Sequence, residues 1–214
     1  MRHSLMAVYM DAVDGGGFPC HAGLLAWGGR GVLVAGASGT GKSTTCCRLL
    51  STGAVLCDEE TLIVRDRQGR YWGHPFPTWS RLFDKPGSQR WEVERAVPLQ
   101  GTIFLFPAGQ DQCVPVGQGE AAAKLHRMAM DKAVRSLECL DEETFLGMKK
   151  RMFDNVCLFV SQVPVTRLNV TLASDMEKEF AKACQCLWQK PPQLHPRRNL
   201  RVSDTGGHAH HSGK

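Results

Sequence analysis

Nowhere in its 214 residues does this sequence carry an apolar run approaching the roughly 20 residues that a membrane-spanning helix requires. A spanning helix is not expected. The apolar stretch from Leu5 to Met10 is followed by Asp11 and Asp14, and it is shorter than the roughly 7–15 residue apolar core of a secretion signal. A cytoplasmic protein is therefore expected. Cys-x-x-Cys pairs are also missing: nine cysteines are scattered from Cys20 to Cys186, a pattern of reduced, mostly buried thiols rather than of zinc or a redox dithiol.

A surplus of charge in the body is missing as well. The formal net charge is +5, but Lys190, Arg197, Arg198, Arg201 and Lys214 against Asp204 place +4 of it in the last 25 residues. The body is nearly neutral, so no nucleic-acid partner is expected, and residues 191–214 read as a disordered basic tail holding His208, His210 and His211. The length leaves room for one core, placed at residues 1–190 as a single domain.

What is present is an alternation of short apolar runs and helical patterns. Residues 22–36, "AGLLAWGGRGVLVAG", read as a β-hairpin turning at Gly28 and Gly29, and residues 43–53 as a helix ending at Gly53. "AVLCDEE" ends a strand in acids, and "TLIVRDRQGRYWGHP" reads as a second hairpin turning near Gln68 and Gly69. Residues 74–99 are broken by proline and tryptophan and suit a loop or lid. A buried strand at 101–106, helices at 118–138 and 141–160, a strand at 163–170 and a helix at 174–188 follow. Hairpins among βα units predict an α/β fold with a mixed sheet.

The densest chemistry lies in Gly36, Ala37, Ser38, Gly39, Thr40, Gly41, Lys42 and Ser43, which satisfy G-x-x-x-x-G-K-S/T, with Thr44 next. Glycines let successive backbone N–H groups converge on phosphate oxygens, and the following helix adds the positive end of its dipole. Lys42 is expected to reach the β- and γ-phosphates of a nucleotide, and Ser43 to ligate Mg²⁺.

Phosphoryl transfer to a hydroxyl also needs an acid for Mg²⁺ and a base for the acceptor's proton. Asp58, Glu59 and Glu60 begin only 16 residues after Lys42. An Asn-Lys-x-Asp segment for guanine is absent, and the later strand ends in Pro107 without an acid. A GTPase falls behind, leaving kinases that act on a small molecule or on a peptide or protein. The loop is entered through a hairpin rather than from a first strand.

That arrangement resembles the HPr kinase/phosphorylase family, whose core is similar to phosphoenolpyruvate carboxykinase. The likeness rests on "CHAGLL" with His21 standing 21 residues before Lys42, on "GASGTGKST", and on Cys57, Asp58 and Glu59 in "VLCDE". It implies Asp58 as general base, Glu59 as a Mg²⁺ ligand and His21 as a contact to the transferring phosphate. The second acid is Glu59 where the family has aspartate, and an ungapped alignment shifts the pair to Glu59 and Glu60. "HPFPTWSR", "RAVPL" and "VPVTRL" further resemble the short HPr kinase-related proteins of the SynChlorMet cassette. The implied activity is ATP- and Mg²⁺-dependent transfer to a serine-type hydroxyl of a peptide or protein, with homo-oligomerisation as an option. A small-molecule hydroxyl kinase and a non-catalytic ATP-binding module of a peptide-modifying complex stay open.

Two weaker signals complete the reading. Trp72, Trp79 and Trp91 interleaved with Arg81 and Arg90 suit either core covering or ligand stacking. Arg65, Arg67 and Arg70 flank the second turn, where exposed hairpin charge is the first reading and an arginine finger the second.

Overall fold

The computed structural model describes residues 2–52, 54–76 and 94–189. Helix α1 (Arg2–Asp14) and the short strand β1 (Phe18–Cys20) open the chain, and neither was indicated by the sequence alone. The expected hairpin follows as β2 (Ala22–Trp27) and β3 (Arg30–Ala35). Its turn residues Gly28 and Gly29 have φ of 56° and 77°, the left-handed conformation that matches a two-residue turn to the twist of the strands. Helix α2 (Lys42–Leu49) continues into a 3-10 turn at Leu50–Thr52, and the expected cap Gly53 lies outside the described residues.

Strand β4 (Val55–Cys57) is followed by the second hairpin, β5 (Thr61–Arg65) and β6 (Tyr71–Pro75). The Asp66 carboxylate holds its turn by accepting hydrogen bonds from the Gln68 and Arg70 amides and from Trp72 Nε1. Those bonds, Trp72 first, hold its acid well below the ordinary carboxylate range, at about 2. The segment expected to be irregular is shorter than 74–99, because His74 and Pro75 belong to β6 and Val97 begins β7 (Val97–Pro107). Trp79, Arg81, Arg90 and Trp91 lie outside the described residues, as does the expected tail. After β7 come an unforeseen β8 (Gln112–Pro115) and the anticipated α3 (Gln118–Leu137), α4 (Glu142–Gln162), β9 (Val165–Val170) and α5 (Met176–Gln189).

The strands form one mixed sheet in the order β1-β5-β6-β7-β3-β2-β4, with β9 joined to β7 and β8. β7 is shared by two halves: its first residues pair antiparallel with β6, and the rest runs parallel to β3 and β9. Alternation along the strands divides the core into two layers. Leu24, Leu33 and Phe104 face α1, α3 and α4, whereas Leu25, Val34 and Ile103 face α2 and α5. Each such fully buried side chain contributes about 1.5–3 kcal/mol relative to exposure.

Register then decides where the chemistry sits. Ala22 lies opposite Ala35, Leu24 opposite Cys57, Ala35 beside Phe104, and Phe104 beside Arg167. β4 is antiparallel to β2, which is antiparallel to β3. The start of β2 therefore meets the ends of β3, β4 and β7 and the middle of β9 at one sheet edge, the side on which parallel α/β sheets bind ligands. Among the described residues no helix is long and apolar enough to cross a membrane.

Candidate functional site

At that edge β3 passes through Gly36 into the glycine loop and then into α2. A side chain at Gly36 would collide with Thr40 Oγ1 at 2.5 Å and press on the Leu105 carbonyl at 3.2 Å. Thr40 Oγ1 in turn donates to the Ala37 carbonyl at 2.8 Å, closing the loop on itself. Gly39 and Gly41 have φ of 80° and 91°, and nothing stands within 4 Å of where a side chain would project from either. Gly41 is the N-cap of α2, and no side chain caps the helix. Its first N–H groups are thus left to an incoming anion, which the helix dipole favours.

Lys42 is buried, and its Nζ donates to the Gly36 carbonyl at 2.8 Å and to the Ala37 carbonyl at 3.1 Å. Both acceptors belong to the phosphate loop, so the ammonium is stored beside the position an anion would take. Burial lowers its pKa. Ser43 and Thr44, in the first turn of α2, are exposed. The loop thus presents the free N–H groups of α2 and the Lys42 ammonium at one place, with the Ser43 hydroxyl exposed beside them.

His21 precedes β2, and its backbone N–H donates to the Met128 carbonyl at 3.3 Å, tying the strand to α3. Its Nδ1 is buried and has no hydrogen-bond partner among the described residues. Burial first, then the positive charges of Lys42 and Lys132, hold its pKa down to about 4. At neutral pH the imidazole is uncharged and can accept as well as donate.

The three acids after β4 have separate environments. Asp58 is 1% exposed and packs beside Gly23 of β2, on the side of Cys46 in α2; burial, then the charge of Asp58, pushes the Cys46 thiol well up. Glu59 accepts an ion pair from Lys132 of α3 at 2.9 Å, and Glu60 lies 3.4 Å from the same ammonium. Glu60 also accepts a hydrogen bond from Tyr9 of α1, whose hydroxyl is pushed upward by burial and by that carboxylate. Among the described residues no group of three His, Cys, Asp or Glu side chains gathers around a common point. A cation here fits the Ser43 hydroxyl, a single carboxylate and phosphate oxygens rather than a cage supplied by the protein alone.

A cavity of about 740 Å³ opens beside the loop. Of the site residues expected from the sequence, His21, Gly36, Ala37, Ser38, Thr40 and Glu60 line it; Gly39, Gly41, Lys42, Ser43, Thr44, Asp58 and Glu59 do not. Its far wall went unrecognised in the sequence: Lys124, Arg127, Asp131, Lys132 and Arg135 of α3 all line it, with Arg167 of β9. The signal was present as charges recurring every three to four residues on the face beside Leu125 and Met128. The arginines of the second hairpin are elsewhere. Thr61 of β5 donates to the Ala22 carbonyl at the site edge, so Arg65 at the other end of β5 is roughly 13 Å away along the strand. Arg70 pairs with Asp66 at 2.7 Å, in keeping with exposed hairpin charge.

A family model described as SynChlorMet cassette protein ScmC matches residues 1–185. The chain belongs to the ScmC family. None of the curated proteins matches this ScmC family member. Among solved structures, the Hpr(Ser) kinase/phosphatase from Coxiella burnetii aligns with 10% sequence identity over 80% of this chain and 90% of that one, at a TM-score of 0.41. The α/β architecture of this family member rests on its own strands and register.

Proposed function

We propose that this chain binds ATP in the glycine loop and, with Mg²⁺, transfers the γ-phosphoryl group to a serine-type hydroxyl of a peptide or protein. The observation that carries this reading is register: Ala22 opposite Ala35 and Leu24 opposite Cys57 set His21, the phosphate loop and Asp58 along one sheet edge. A nucleotide switch needs the loop alone; a hydroxyl kinase needs donor, loop and acid together. The described elements, with the rest of residues 1–190, are read as one catalytic unit of a cytoplasmic protein.

Each residue then has a task. Backbone N–H groups from Gly36 to Lys42 hold the β- and γ-phosphates, and Lys42 exchanges the Gly36 and Ala37 carbonyls for phosphate oxygens. Neutral His21 donates a hydrogen bond to the transferring group. Asp58 takes the proton as the acceptor oxygen bonds to phosphorus, the bond to the bridging oxygen breaks and ADP leaves. Ser43 and Glu59 would hold Mg²⁺, which supplies neutralisation of charge on the phosphates. Since Asp58 is buried, its role requires the turn between β4 and β5 to shift when substrates bind.

Burial of Asp58, with Glu59 and Glu60 both held by Lys132, favours a second reading: an ATP-binding module without transfer in a peptide-modifying complex. Mass spectrometry of a peptide encoded beside the protein, after incubation with ATP and Mg²⁺, separates the two. One added phosphate on a serine supports the kinase. ATP and peptide binding with no phosphate on peptide, protein or metabolite supports the module.

A further inference from the structure

The cavity wall formed by α3 is not used by any step above, and its charge is uneven. Lys124 pairs with Glu120 at 2.6 Å, and Lys132 with Glu59 and Glu60. Arg127, Arg135 and Arg167 also face the cavity, and none of the three has a carboxylate within ion-pair distance among the described residues. Arg167 Nε is buried without a hydrogen-bond partner among the described residues, its guanidinium standing 5.4 Å over the Phe106 ring. The opposing charges in the lining are Glu60, already bound to Lys132 and Tyr9, and Asp131, whose field acts on His21.

Spacing indicates what such a wall fits. Arg127 and Arg135 are two helical turns apart, about 12 Å along the axis, which is the length of roughly four residues of extended chain. A single small anion cannot span both. Leu5, Phe104 and Met128 add apolar surface to the same lining, giving the mixture of apolar body and few polar anchors that a chain segment uses.

We propose that this face of α3, with Arg167 of β9, docks an acidic peptide segment adjoining the residue that enters the loop edge. Arg127 and Arg135 take carboxylates in register along the segment, and Arg167 takes one from β9. The identity of that residue as a phosphate acceptor rests on the kinase reading; the docking does not.

Binding is therefore measured apart from transfer, by fluorescence anisotropy of three labelled peptides in which a central serine is flanked by glutamates, glutamines or lysines. The glutamate peptide is expected to bind about tenfold tighter than the glutamine peptide, with the difference shrinking at high salt. The double variant Arg127→Ala/Arg135→Ala should lose about tenfold in glutamate-peptide affinity while ATP affinity stays within about twofold. Arg127→Glu/Arg135→Glu should prefer the lysine peptide. Equal binding of glutamate and glutamine peptides overturns the proposal, as does inorganic phosphate competing at the peptide's own affinity. A loss of ATP affinity in the alanine variant with peptide binding intact also overturns it, by assigning the cations to the nucleotide. Tight glutamate-peptide binding without phosphate transfer leaves the docking face standing and removes the kinase reading instead.

Discussion

Lys132 of α3 donates a 2.9 Å hydrogen bond to Glu59, 73 residues earlier in the chain, and so binds the cavity wall to the turn that carries the acids. Its side chain is 17% exposed and that of Glu60, its second partner, only 9%. Truncating it leaves Glu60 buried with Tyr9 alone, and an uncompensated buried acceptor costs about 1–3 kcal/mol. Lys132→Ala should lower the urea midpoint accordingly, and adding Glu60→Gln should recover part of the loss. Strictly additive effects in that double-mutant cycle would remove the coupling.

His21 links the site to pH. The unfolded imidazole takes a proton near its ordinary 6.5, whereas the folded one is held down to about 4. Between those values the unfolded chain binds more protons, so the stability contributed by His21 is fully present above about 6.5 and is lost as pH falls toward 4. Phosphate in the loop would neutralise Lys42 and raise the His21 pKa. Imidazole resonances followed by NMR titration should show a low value in the free protein and an upward move with ATP. A His21 titrating near 6.5 in both states contradicts the site geometry.

The phosphate loop and both hairpins were legible because glycines with positive φ and alternating apolar residues are local signals. β1 and β8 were not, since strands of three and four residues are too short to display a period and owe their form to pairing with β5 and β9. In α1 the apolar residues run unbroken from Leu5 to Met10 and so display no helical period, and Tyr9 and Val13 are fixed by α3 and α4 rather than by propensity. Asn155 of α4 secures that docking by donating to the carbonyls of Val13 and Gly17, at 2.7 and 3.0 Å. For the site, His21 and the acids were visible as motifs. Lys132, Arg127 and Arg135 were not, because only the fold turns their face of α3 toward the loop.

Lys42 offers a separable test. Its bond to the Gly36 carbonyl is buried and that to the Ala37 carbonyl partly buried, so both support the loop. Lys42→Ala should therefore lower the thermal midpoint by what an uncompensated buried acceptor costs, about 1–3 kcal/mol. Loss of a charge-assisted bond to phosphate, about 1.5–3 kcal/mol, should weaken a fluorescent ATP analogue by roughly 10- to 150-fold. Unaltered ATP affinity would take Lys42 out of phosphate binding.

Asp58 and Glu59 divide the remaining chemistry by their surroundings. Asp58 is 1% exposed, whereas the Glu59 side chain is 37% exposed and bound to Lys132. If Asp58 accepts the hydroxyl proton, Asp58→Asn keeps the shape of the buried side chain and its room beside Cys46 while removing the base, so ATP should still bind and transfer should fall by about 10²–10⁴. If Glu59 holds Mg²⁺, Glu59→Gln should instead raise the Mg²⁺ concentration needed for half-maximal transfer, with the rate at saturating Mg²⁺ less affected. Reversed phenotypes would exchange the two roles and match the ungapped alignment in which Glu59 and Glu60 are the pair. The burial also makes a kinetic demand: the Asp58 turn must open for the acceptor, and opening breaks the Lys132–Glu59 contact. Lys132→Met should then speed peptide-dependent transfer when opening limits the rate, and a slower rate with unchanged peptide affinity would mean that Lys132 acts on the transferring phosphate rather than as a latch on the acids.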